Sequence, residues 1–127
     1  MNVKRMTMLY QMMDGIPAER VNLSLWRSRA TSDEELIHGC GSLACTLGWA
    51  CTYPPFKSMG LYFAHGSPQY KCQQDFDAAA LFFGITDMEA LGLFTGGLSE
   101  YDPEEWDNDK ERALGRIKKF MTLKGVL

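Results

Sequence analysis

Apolar positions at the start of the chain recur every three or four residues. Val3, Met6, Leu9, Tyr10 and Met13 fall on one face of a helix over residues 2 to 14, which Gly15 and Pro17 end. The pattern then changes: Val21, Leu23 and Leu25 alternate with polar neighbours and Trp26 can cover part of a core, so residues 16 to 39 read as largely irregular with one extended run. Within them TSDEELIH predicts a short helical turn, capped by Thr31 or Ser32 with Glu34 or Glu35 reaching back. Helical spacing returns in CGSLACTLGWA, where Leu43, Leu47 and Ala50 share a stripe broadened by Ala44 and Cys51. Gly41 or Ser42 is the expected start of this helix. Gly48 is expected to let a neighbouring helix approach closely, and Pro54 and Pro55 to stop the helix, because proline lacks the donor and restricts the residue before it.

Beyond the prolines, FKSMGLYFAHGSPQYKC predicts a short hairpin turning at His65 to Ser67. DFDAAALFFG places Phe76, Ala79, Ala80 and Phe83 at helical spacing, with Gly84 where a left-handed cap belongs. In ITDMEALGLFTGG, Thr86 and Glu89 form a capping box, Ile85 staples behind it, and Gly96 and Gly97 terminate the helix. A fourth clear helix is expected from Asp102, with Pro103 at its first position and Glu105 as reciprocal cap, running through Trp106, Ala113, Leu114, Ile117, Phe120 and Met121. The expected fold is mainly α. It is a compact single domain over residues 1–127, with about four principal helices around one core and a short irregular or hairpin insertion after the cysteine-rich helix.

Composition supports folding and narrows the function. The 127 residues can bury roughly two thirds of the unfolded surface. With 46% hydrophobic and 23% charged residues the chain is far from a disordered composition. No apolar run reaches the roughly 20 residues that span a bilayer, and MNVKRMTMLYQMM lacks a small-residue cleavage site, which predicts a cytoplasmic protein without a membrane partner. A net charge of -3 makes nucleic acid a poor partner. The acidic run YDPEEWDNDKE and the basic run GRIKKFMTLKG fit the dipole of one helix. Four cysteines in such a chain are expected as thiols.

The residues CGSLACTLGWA, then FDAAALFFGITDMEALGLF and a capped helix ending in RIKKFM, resemble small bacterial and phage proteins. Those proteins carry a CGTxxCxxGWA-like segment followed by an AAxFFGLxxxEAxxLF-like one, and the likeness covers roughly residues 38 to 122. It implies a compact helical unit and a mobile-element origin, and it supplies no reaction.

Two kinds of chemistry compete with simple packing. Cys40, expected just before a helix N-terminus, is a candidate thiol nucleophile with His38 or His65 as its base. Cys40, Cys45, His65 and Cys72 form the alternative zinc set, although Cys40 and Cys45 would stand about 140° apart if both were helical. The competing account treats the cysteines as small, buried, reduced hydrophobes. No phosphate-binding loop, dinucleotide fingerprint, HExxH or nucleophile elbow is present, so no cofactor is called for. Phe82 and Phe83 are adjacent and are not expected to face inward together at full depth. With Tyr62, Tyr70, Tyr101 and Trp106, Phe82 supplies a candidate aromatic binding surface. The expected function is a small soluble protein-binding module, a phage or mobile-element accessory factor acting on a host protein, with a homodimer as one way to close its apolar surface.

Overall fold

The computed structural model describes residues 1–27, 32–38 and 42–127. Among the described residues the α-helices are α1 (Val3–Asp14), α2 (Asp33–His38), α3 (Thr46–Ala50), α4 (Pro54–Ser58), α5 (Asp75–Phe83), α6 (Asp87–Phe94) and α7 (Asp109–Leu123), with a 3-10 turn at Ala18–Arg20. Between α4 and α5 lies an antiparallel sheet of β1 (Leu61–Ala64), β2 (Ser67–Tyr70) and β3 (Gln73–Gln74), in the order β1-β2-β3. The fold is therefore mixed, and the mainly α expectation with about four helices is corrected. The expected hairpin is there: His65 and Gly66 have φ of 55° and 78°, the two left-handed residues that a two-residue loop with the right twist requires. What the pattern hid is the third strand, since Gln73 and Gln74 are polar and too few to alternate, and they pair with Tyr70 and Gln69.

Local chemistry explains the well-read elements. Asn2 caps α1 by accepting from the Arg5 N–H at 3.0 Å, and Ser32 accepts from Glu35 N–H at 3.2 Å ahead of α2. The Thr86–Glu89 capping box is complete, and Gly84 ends α5 at φ 66°.

Three boundaries differ from expectation. The cysteine-rich helix starts only at Thr46, because the residues before it run extended beside an earlier segment. Asn22 N–H donates to the Ala44 carbonyl at 3.1 Å, Ala44 N–H to Arg20 at 3.3 Å and Cys45 N–H to Leu25 at 2.7 Å. Cys45 is the cap of α3, its Sγ accepting from Gly48 N–H at 3.4 Å. The close neighbour at Gly48 is the Trp26 backbone, not a helix. Pro54 and Pro55 open α4 instead of only closing what precedes, since the first turn of a helix has no use for their missing N–H groups. Finally, α7 begins behind Asn108, which accepts from Glu111 N–H at 2.9 Å, and the Asp102 carboxylate is engaged elsewhere.

The core centres on α5, which packs on β2 and β3 on one side and on α6 on another. This enclosure buries both neighbours Phe82 and Phe83, at 1% and 0% exposure, correcting the expectation that only one could be deeply inside. Phe82 meets Phe56 and Tyr70 edge-on at 5.1 and 5.0 Å, and Phe83 meets Phe56 at 5.7 Å.

Candidate functional site

The candidate thiol chemistry is not assembled among the described residues. Cys40 lies outside them. His38 is the exposed last residue of α2, and His65 is exposed at the β1–β2 turn. Cys72 is exposed at the β2–β3 turn, so His65 and Cys72 sit at opposite ends of β2, about 13 Å of strand apart. Cys45 is buried at the start of α3, and among the described residues no group of three or more His, Cys, Asp or Glu side chains could hold a metal ion. Burial pushes the Cys45 thiol up to about 11 and the Cys51 thiol up to about 12, the direction that suppresses a thiolate. In the folded protein a small alkylating reagent near neutral pH should modify Cys72, while Cys45 and Cys51 react only after denaturation. Peptide mapping by mass spectrometry reads this directly, and rapid native labelling of Cys45 or Cys51 would contradict their burial.

The aromatic candidates are also dispersed. Tyr70, Phe82 and Tyr101 are buried, with the Tyr101 ring on Phe120 at 5.1 Å. Tyr62 and Trp106 are exposed, on β1 and on the loop before α7, and Trp106 packs over the Arg112 guanidinium at 4.8 Å. The more continuous apolar surface runs along α1. A groove of about 430 Å³ between α1 and α7 is lined by Tyr10, Gln11, Met121 and Leu127 among others. A second, of about 500 Å³, lies between the end of α1, α2 and the α3–α4 region, where Gln11, Ile16, Ile37, Trp49 and Tyr53 contribute. Gln11 borders both.

Two arginine systems were not foreseen. Arg116 is fully buried and Arg112 nearly so, and both guanidinium groups donate to Asp102 Oδ1, at 2.7 and 2.8 Å. Arg112 also donates to Asp102 Oδ2 at 2.9 Å, which accepts from Ser99 N–H at 2.9 Å. The carbonyls of Thr95 and Gly97 take further Arg116 donors at 2.6 and 2.8 Å, so the end of α6 is tied to α7. Burial raises the Asp102 carboxyl, but the hydrogen bonds from Arg112 and Arg116 outweigh it and hold the group well below the usual carboxylate range. The signal was in the sequence: Arg112 and Arg116 stand four apart on the same stripe as Ala113, Ile117 and Phe120, where a solvated arginine has no place.

The second system clamps α2. Arg27 pairs with Asp33 near the helix start while lying 3.9 Å from the Phe63 ring centroid. Arg20 donates to the Leu36 and Ile37 carbonyls near its end while stacked over Trp49 at 5.0 Å. Both systems are fastenings; neither places a base beside a nucleophile.

Comparison with known proteins found no matching family model, no matching curated protein and no matching solved structure. Among the described residues, no helix is long and apolar enough to cross a membrane.

Proposed function

We propose that the chain is a small protein-binding module of the cytoplasm, and that its docking face is the pair of grooves along α1. The observation that carries this is their continuity: two apolar-lined grooves meet at Gln11, giving a longer apolar surface than Tyr62 or Trp106 offers alone. The cytoplasmic setting draws support from Cys45 and Cys51, which are buried as free thiols. A role in a phage or other mobile element, acting on a host protein, draws support from the sequence resemblance.

The test pairs stability with capture. Ile37 is 40% exposed and Gln11 is exposed as well, so Ile37→Glu combined with Gln11→Glu should keep the fold to within about 1 kcal/mol. The same variant should lose the host protein retained by the parent chain. Undiminished capture by this variant, with loss on Tyr62→Ala and Trp106→Ala instead, would overturn the assignment of the face.

A further inference from the structure

We propose that Arg5, Lys71 and the Tyr70 hydroxyl form a receptor for a single phosphate monoester group at the junction of α1 with the β2–β3 turn. Arg5 and Asp14 are nine residues apart on α1, which places Arg5 about 180° around the helix from Asp14 in the α1–α7 groove. The site is thus distinct from the docking face and does not depend on it.

Two observations converge. First, Arg5 is fixed: its Nη1 donates to the Phe82 carbonyl at 2.8 Å, and its Cζ lies 4.3 Å from the Phe82 ring centroid and 6.0 Å from that of Tyr70. Second, Lys71 approaches the same phenol from the turn, with Nζ 5.3 Å from the ring centroid. Among the described residues no carboxylate forms an ion pair with either cation, whereas Arg27, Arg112 and Arg116 each have one. Lys71 leads the two-residue loop between β2 and β3 with φ at 54°, the left-handed conformation that His65 holds in the loop between β1 and β2, and glycine or asparagine adopts it more readily.

The chemistry of the three groups defines the ligand class. Two positive charges without a countercharge match a phosphate monoester, which carries about 1.5 to 2 negative charges near neutral pH. Guanidinium, ammonium and phenol are all donors to its oxygens. The Arg5 guanidinium, with Lys71 adding to it, holds the Tyr70 hydroxyl below its ordinary value against the opposing effect of burial, as expected of a phenol in a positive field.

Inorganic phosphate is the probe, titrated into the full chain at ionic strength held constant with chloride, while backbone and side-chain NMR signals of Arg5, Tyr70 and Lys71 are followed. A saturable shift confined to this cluster is expected, weakened roughly tenfold by Arg5→Gln and by Lys71→Asn. Lys71→Asn separates binding from folding, because asparagine adopts the left-handed turn conformation readily and the variant should melt no lower than the parent while losing phosphate. No saturable shift, or the same affinity in Lys71→Asn and Arg5→Gln, would overturn the proposal.

Discussion

Gly48→Ala is expected to destabilise the protein by about 3 kcal/mol or more, the upper end of what overpacking costs. A Cβ at this position would stand 1.9 Å from the Trp26 carbonyl oxygen and 3.0 Å from both the Trp26 carbonyl carbon and the Ala44 Cβ. The obstacle is backbone, so no rotamer change relieves it. The backbone cannot withdraw easily either, because Cys45 N–H donates to the Leu25 carbonyl one residue before Trp26. Urea denaturation of the variant beside Gly97→Ala checks the claim. At Gly97 the nearest atom to a new Cβ is Thr95 Oγ1 at 3.7 Å, so that control should change stability by less than about 1 kcal/mol.

Removing the acidic centre of the arginine network should have a comparable or larger effect. Asp102→Ala leaves two buried guanidinium groups without their countercharge, and breaking a buried pair in this way costs roughly 3–5 kcal/mol. The network also gives stability a defined dependence on pH. The folded-state value of Asp102 is depressed, so the unfolded chain takes up the proton first. Its contribution is complete above the ordinary aspartate value of about 3.9 and drains away as the pH falls from there toward the folded value. Denaturation curves at pH 7 and pH 3 should therefore diverge more for the parent than for Asp102→Asn. Equal divergence in the two would remove Asp102 from the acid response.

The sequence was legible where structure is decided within a few residues. Apolar spacing with a stop signal at its end marked α1, α5 and α6, the Thr86–Glu89 box marked the start of α6, and His65-Gly66 marked the hairpin. It was opaque where distant partners decide. Asp102-Pro103 followed by Glu105 has the form of a helix start, yet the carboxylate is committed to Arg112 and Arg116, ten and fourteen residues away, and α7 waits for Asn108. Leu43 and Ala44 fit a helical stripe, but residues 20–25 capture the backbone groups of Ala44 and Cys45. The candidate binding residues divided for the same reason. An aromatic side chain reads alike in the core and on the surface, and only the packing of α5 and α7 decides that Phe82 and Tyr101 are inside while Trp106 is not.

The contact between α3 and Trp26 fixes which replacements the cysteine-rich segment can accept over long divergence. Position 45 is buried and needs a small acceptor for the Gly48 N–H, and serine or threonine serves that purpose as cysteine does. Position 48 needs the absence of a side chain, and no other residue provides it. Chains sharing this fold should therefore exchange small acceptors at the first position and stay fixed at the second, so that the durable mark in ACTLGW is its glycine and not its thiol.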